Sequence, residues 1–540
     1  MRHETTAGKG AAMNQMQATS SRRGGREARK ALRAAPGGPD HRPVRGGMEN
    51  PRHFRPLSET DMARIHEAAL DVLETVGIGD CLPSTVDYLT RLGCIYRDGR
   101  ITFPRALVED YIPRINRDFL LAGRDPRHDM HMQGSRFYCG TAGATVNMVN
   151  PRTGAYRGTT LNDLYDCSRL VDTLDNIHFF QRTVVPREIE DFFEMDFNTC
   201  YASLAGTQKH VGTSWGGVRQ LEASLEVMHL LAGGEKQWRE RPFVSMSCCF
   251  TVSPLKWAAD SCLCLETGAK AGMPIMLVSL GQAGATGPAA LAGNVVMTLA
   301  ELLAGMIYVD AVAPGNPVIL GFWPFVSDLR TGAMCCGSGE QALLTSACGQ
   351  MSRYYGLISG IPSGIADSKM PDAQSGYEKA INHVVTANSG ANLMYEAGGM
   401  VASLMGFSLE SLAMDNDSVG AALRTVRGID VNEDTVSVDV IREVCMGGPG
   451  HFLAHGQTMS LMERDYVYPK LGDRMSPSEW AEKGNRTALD RAIDYVDSTL
   501  GAHYPEYVPR AIDEQIRAKY PVRLPRERMR PNADWPRNRG

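Results

Sequence analysis

Short β-rich runs recur through this chain at a near-constant interval, and each is followed by a helical pattern. The runs begin near Tyr138 (YCGTAGATV), Ile177 (IHFFQRTVV), Lys209 (KHVGTSW) and Phe243 (FVSMSCCF). Four more begin near Met273 (MPIMLVSL), Pro317 (PVILGFWPF), Leu357 (LISGIPSG) and Asn392 (NLMYEAG). Successive starts lie 39, 32, 34, 30, 44, 40 and 35 residues apart. Between them stand stretches such as VRQLEASLEVMHLLAGG and SGEQALLTSACGQMSRYYG, whose apolar residues recur at helical spacing. Strands alternating with helices imply parallel pairing through right-handed crossovers. Eight such units are the number that closes a (β/α)8 barrel. The rival, a doubly wound open sheet, normally opens on a Gly-rich first turn. The expected fold is therefore α/β: a TIM barrel with a helical N-terminal lead-in and a C-terminal helical extension.

The flanks differ in character from the repeating units. Residues 1–53 read as a disordered basic tail, 54–135 as the helical lead-in, 136–520 as the barrel with its C-terminal helices, and 521–540 as an Arg/Pro-rich tail. In the lead-in, SETDMARIHEAALDVLETVG is a helix whose start is marked by a Ser58–Asp61 capping box. Residues 1–55 hold 12 Lys and Arg against 4 Asp and Glu, about +8, whereas the remainder carries −13. Text as rich in Arg, Gly, Ala and Pro as the first 50 residues cannot bury enough apolar area to offset its ordering entropy. A solvated tail is preferred there over a nucleic-acid or lipid-binding arm. The acidic body argues against nucleic acid as a partner, because phosphate binding needs a basic surface. Thirteen Cys in 540 residues are too sparse for a disulfide scaffold. With no secretory signal read at the start, a reduced, cytoplasmic protein is expected. The most membrane-like stretch runs from Ala289 to Val309, but Glu301 lies inside it, so a buried core helix is expected rather than a membrane span.

Barrel enzymes carry their active sites at the C-terminal ends of the strands. Those ends here present Cys248, Cys249 and Phe250; Gly281 and Gln282; Trp323, Pro324 and Phe325; Asp367, Ser368 and Lys369; and Glu396. His210 stands early in the third strand and Tyr138 in the first. Trp323 and Phe325, with Phe250 and Tyr138 joining them, could cage a quaternary ammonium, though aromatics are as often core. Asp367 and Lys369 suggest carboxylate binding or a proton relay, against the alternative of a simple helix N-terminus. The pairs Cys248–Cys249 and Cys335–Cys336 and the CxC at Cys262 and Cys264 offer zinc thiolates. No CxxC accompanies them, so small buried side chains are the preferred reading and no metal is expected. LGQAGATG lacks the spacing of a nucleotide loop. His451 and His455, four apart, have the spacing of a metal pair on one helical face but lack a HExxH carboxylate.

Taken together, the segments VSMSCCFTVSPL, ILGFWPFVSDLRTGAMCCGSGEQALLTSA, DSKMPDAQSGYEKA, NDSVGAALRTVRGIDVNEDTVSVDVI and GHFLAHGQTM resemble the trimethylamine methyltransferase family. They occur in family order, and the similarity runs from about Phe54 to beyond Gly484. The resemblance implies a (β/α)8 barrel that moves a methyl group from a methylated amine to the cobalt of a corrinoid on a separate protein. Archaeal members carry pyrrolysine just before an S-D-A-K-like segment, and here that position is Ile365, ahead of Ala366, Asp367, Ser368 and Lys369. Pyrrolysine is thought to bind the lone pair of a free amine, which Ile cannot do. A quaternary ammonium has no lone pair and leaves as a neutral tertiary amine. The non-pyrrolysine branch includes glycine betaine methyltransferases, so a betaine-type donor is expected.

The expected catalytic residues are Asp367 and Lys369. Trp323, Phe325, Phe250 and Tyr138 would hold the cation, and Lys369, Arg330 or His210 would hold its carboxylate tail. No DxHxxG corrinoid signature occurs, so the corrinoid (cobalamin) is expected on a cognate partner protein, with none bound tightly by this chain. A homo-oligomer is expected. The alternatives are a trimethylamine or other methylamine methyltransferase, a zinc- or S-adenosylmethionine-dependent methyltransferase, and a betaine-binding barrel without turnover.

Overall fold

The computed structural model describes residues 55–531, apart from positions 449 and 454; the proposed tail of residues 1–53 lies outside them. Eight parallel strands form one sheet: β1 Tyr138–Cys139, β2 Phe179–Gln181, β3 His210–Thr213, β4 Val244–Cys248, β5 Ile275–Ser279, β6 Val318–Phe322, β7 Ser359–Pro362 and β8 Leu393–Tyr395. From β2 to β8 each strand pairs with the next, and β8 pairs with β1. The remaining seam is bridged at Gly140 and Phe179, by His178 N donating to Cys139 O at 2.6 Å, and by Thr141 Oγ1 donating to Gln181 O at 2.7 Å. The chain is a (β/α)8 barrel, and every strand starts within two residues of its predicted position.

A helix follows each strand: α1 Leu161–Asp172, α2 Phe192–Gly206, α3 Val218–Ala232, α4 Ala259–Lys270, α5 Leu291–Val312, α6 Gly339–Tyr355, α7 Ala373–Ala387 and α8 Leu409–Arg427. Polar side chains cap most of their starts. Thr160 and Asp163 make a capping box on α1, and Asp191, Ser338, Asp372 and Ser408 each accept a backbone N–H on their own helices. α5 contains the membrane-like stretch, and 78% of its most apolar window is buried, as expected of a core helix. Its Glu301 carboxylate accepts from Leu255 N at 2.8 Å, Ser253 Oγ at 3.0 Å and Ser279 Oγ at 2.5 Å, so a fully buried acid ties the β4–α4 loop to β5.

The lead-in begins with the predicted helix, Glu59–Thr75, capped by the Ser58–Asp61 box, and it buries Ile65, Ala69, Leu70 and Leu73. A hairpin of Phe119–Leu121 and Met130–Met132 then closes the N-terminal end of the barrel, where Arg124 N donates to Gln208 O at 2.8 Å. After α8 the helices Ala488–Ala502 and Arg510–Lys519 return to the barrel wall. The chain stays packed beyond Tyr520: Leu524 is fully buried, and Arg526 Nε pairs with Asp513 at 2.6 Å. His451 and His455 do not share a helical face, because the helix begins only at Gly456 and His455 caps it through Gln457 N at 3.1 Å.

Candidate active site at the C-terminal end of the barrel

Strand register decides which side chains face inward. Gly212 pairs with Gln181 and with Ser245, Ser247 with Met276, and Met276 with Ile319. Alternation then places Phe179, Gln181, His210, Gly212, Ser245, Ser247, Gly321 and Trp323 on the inner face. Tyr395 joins them: its ring lies 4.9 Å from Phe179 and 5.7 Å from Trp323, centroid to centroid, spanning the interior from β2 to β6. Inward glycines leave room for these groups. A Cβ at Gly212 would meet Gln181 Oε1 at 1.7 Å, and one at Gly360 would meet the Tyr395 ring at 2.4 Å.

Near the C-terminal ends of the strands several buried polar atoms lack partners. Gln181 Oε1, Ser247 Oγ, Trp323 Nε1 and both carboxylate oxygens of Glu396 make no hydrogen bond among the described residues. Most buried polar groups in folded proteins are satisfied, so such a concentration marks a place where something binds. Glu396 follows β8 in a bulge. Gly140 N donates to Met394 O, yet Gly140 O accepts from Ala397 N, where an unbroken parallel ladder would use Glu396 N. Glu396 has φ +57°, unusual for a residue with a side chain. Burial alone pushes its carboxyl up to about 8. At the rim, Cys249 is exposed and within electrostatic reach of Arg182, whose Nε is buried without a partner among the described residues. Asp196, at the start of α2, is the carboxylate that acts on Arg182, and burial pulls the guanidinium below its ordinary value.

The structure separates the residues singled out from the sequence. Trp323 reaches the inner face, and Ile365 is buried where the chain leaves β7. Phe325 is buried in a small sheet of Gln282–Ala283, Phe325–Asp328 and Ala333–Cys335 beyond the barrel strands. Phe250 lies against α5, where a Cβ at Gly305 would meet its ring at 2.4 Å, so it is outside any inner cage. Tyr138 and His210 stand at the opposite end of the barrel. Tyr138 Oη accepts from His131 N at 3.2 Å, and the ring nitrogens of His210 bond Ala122 O at 2.9 Å and Ser245 Oγ at 3.0 Å. Neither can reach a ligand at the C-terminal mouth.

Asp367 accepts from Cys336 N at 2.7 Å, Gly337 N at 3.1 Å, Ser403 Oγ at 2.7 Å and Cys335 Sγ at 3.0 Å. It ties together the loops after β6, β7 and β8, and its own N–H donates to Glu378. Lys369 is exposed and donates to Asp367 O at 2.6 Å; Arg330 is exposed and paired with Asp328 at 3.0 Å. Among the described residues no three His, Cys, Asp or Glu side chains converge as a metal site. Cys248 and Cys262 donate to the carbonyls of Ser261 and Phe250. Gln181, Arg182 and Ser247 are not among the residues that the sequence singles out, and Glu396 has no role assigned there, although strand-end position combined with two-residue alternation points to Gln181 and Ser247.

The family model described as trimethylamine methyltransferase (MTTB) matches residues 22–525, further in both directions than the motifs reach. A trimethylamine methyltransferase of Desulfitobacterium hafniense (strain DSM 10664 / DCB-2) is 31% identical over 464 residues, covering 86% of this chain and 92% of that protein. A glycine betaine methyltransferase of D. hafniense (strain Y51) is 32% identical over 464 residues, covering 86% and 95%. A trimethylamine methyltransferase of Methanosarcina thermophila is 30% identical over 454 residues, covering 83% and 93%.

Proposed function

Because this chain belongs to the trimethylamine methyltransferase family and is a methyltransferase, we propose that its donor is a quaternary ammonium compound of the betaine class and that its acceptor is a corrinoid carried by a separate protein. The observation that carries this reading is the aliphatic side chain of Ile365, buried at the end of β7 where the resemblance puts pyrrolysine. It offers no electrophile to an amine lone pair, and a quaternary ammonium needs none.

The corrinoid is a second substrate, and in its Co(I) state it supplies a two-electron nucleophile. The exposure of Cys249 and partial exposure of Ser247 at the C-terminal end support access from that face, as a nucleophile delivered by another protein requires. The chain itself binds, orients and desolvates the donor. Trp323 and Tyr395 present aromatic surface to the trimethylammonium head, each worth ~0.5–2 kcal/mol. Arg182, next to the inward Gln181 and within electrostatic reach of the exposed Cys249, is the cation proposed for a carboxylate tail, in place of His210, which is committed elsewhere. In the reaction the C–N bond breaks with its electron pair remaining on nitrogen. The methyl carbon takes the pair of the incoming nucleophile, and a neutral tertiary amine leaves without a general acid.

The same reading includes a reducing cytoplasmic setting, consistent with thirteen free cysteines. It also includes self-association, supported by exposed apolar side chains such as Ile429, Val431, Met446 and Leu453. The test is anaerobic methyl transfer to free cob(I)alamin and to a corrinoid protein, followed by visible spectroscopy. Glycine betaine, other betaines, carnitine, choline and trimethylamine are compared. Methyl transfer from a quaternary donor but not from trimethylamine is expected; turnover of trimethylamine alone would refute the argument from Ile365.

A further inference from the structure

Glu396 is buried with no exposed surface, and neither carboxylate oxygen has a hydrogen-bond partner among the described residues. An ionised carboxylate in that state is strongly unfavourable, and a protonated one still leaves its O–H unsatisfied. The backbone adds to the cost, because a non-glycine residue sits at φ +57° in a bulge at the rim of the barrel.

The titratable neighbours do not relieve it. Cys336, from the loop before α6, lies within electrostatic reach of Glu396 and also of Cys335, Asp367 and Glu378. Asp367 is saturated by its own donors, and Glu378 accepts from Asp367 N at 2.7 Å and from Gln374 at 2.8 Å. His383 of α7 bonds Ser418 through Nδ1, while its Nε2 lies beside Gly364, which also abuts the Glu396 carbonyl. Behind them, Lys379 of α7 is consumed by Asp415 of α8 at 2.7 Å. No protein cation among the described residues pairs with Glu396, and the surrounding charge is predominantly acidic.

We infer that Glu396 is the counter-ion of the substrate's ammonium group, the residue that selects for positive charge at the C-terminal end of β8. The inference rests on the quaternary-amine reading and adds to it the group that recognises the cation. Without ligand the carboxyl is held protonated, because burial disfavours its charge. Cation binding therefore displaces one proton to solvent, leaving a carboxylate–ammonium pair. Methyl transfer converts the ammonium into a neutral amine, the pair loses its attraction, and Glu396 regains a proton from solvent as the amine departs. The cycle is balanced in charge and protons, and the neutral product is held less tightly than the cationic donor.

The test is calorimetric titration of the full chain with tetramethylammonium and with glycine betaine, in buffers of different protonation enthalpy. Close to one proton released per site at pH 7, and far fewer at pH 9.5, is expected for the wild type. The isosteric Glu396→Gln should release none and bind tetramethylammonium at least tenfold more weakly, with an unchanged circular dichroism spectrum. The neutral isostere 3,3-dimethylbutan-1-ol should bind both proteins alike. Wild-type binding without proton release, with Glu396→Gln binding tetramethylammonium as tightly, would overturn the counter-ion. If that wild type still demethylates a quaternary amine, the proposed function survives and only this inference fails. A wild type that neither binds nor demethylates any quaternary amine sinks both.

Discussion

Removing the charge of Glu396 should change how the ligand-free protein responds to pH. The carboxyl is raised by burial from an ordinary value of 4.5 to about 8. A raised acid is held in its protonated form by the native state, so its contribution to stability is intact below the unfolded value. It is lost as pH climbs towards the folded value. Between the two values the unfolded chain ionises and the native one does not, giving a slope of ~1.36 kcal/mol per pH unit. From pH 6 to pH 9 this integrates to about 3 kcal/mol lost by the wild type through this one group. Glu396→Gln keeps the shape and cannot ionise, and whatever its buried amide costs does not vary with pH. Urea unfolding of both proteins at pH 6, 7, 8 and 9 isolates the term, since other titrating groups cancel in the difference. Relative to the variant, the wild type should weaken by about 3 kcal/mol across that range. A difference constant within ~0.5 kcal/mol would show that Glu396 is already ionised or solvated in the empty site, and the argument from its missing partners would fall.

Trp323→Leu should raise KM for a quaternary donor by about two- to thirtyfold, the kinetic equivalent of ~0.5–2 kcal/mol of cation–π attraction, while KM for a neutral analogue changes less. Arg182→Met should weaken glycine betaine by roughly ten- to a hundredfold, the range for losing a charge-assisted hydrogen bond, yet leave tetramethylammonium unaffected because it has no carboxylate; calorimetric titration reads both. Lys379→Met strands Asp415 as a buried charge and should cost about 3–5 kcal/mol in urea unfolding. Because Asp415 also accepts from Gly399 N at 2.8 Å, the same change should loosen the loop after β8 and lower methyl transfer.

The barrel was legible because its strands are buried on both faces and so read as near-continuous apolar runs, separated by helices of similar length. The helix Glu59–Thr75 was legible for a different reason: its start is set by local capping chemistry. The site was harder to read. His210 and Tyr138 lie on barrel strands, but at their beginnings, and direction along the strand decides which end a side chain serves. Phe250 ends its strand on the outer face, which alternation from Ser245 and Ser247 already implies. Asp367 stood out as a polar residue in a loop, but only the folded chain reveals four donors that turn it into a tie between loops. Glu396 could not be oriented from sequence at all, since the bulge at β8 breaks the alternation that would have assigned it a face.

The two ends of the barrel treat buried polarity in opposite ways. At the N-terminal end Lys209 donates to three carbonyls, of Val171, Leu174 and Ile177, at 2.5–2.7 Å. His210 uses both ring nitrogens, and Asn392 donates to Gly134 O and Arg136 O while accepting from Ser359 N. There Ser359 Oγ and Arg124 Nε are left over among the described residues. At the C-terminal end Ser279 is satisfied by Glu301, but Gln181, Ser247, Trp323 and Glu396 keep bare polar atoms. Each such atom costs about 1–3 kcal/mol, more for a charged group, so leaving several at one end sacrifices stability that the same chain secures at the other. A fold able to satisfy a lysine three times over does not lack the means to satisfy a serine. The bare polar atoms at the mouth are complementary to a ligand that carries its own charge and polar atoms into the barrel. Ligand-linked stabilisation should therefore be large for a cationic donor and small for the neutral amine it becomes.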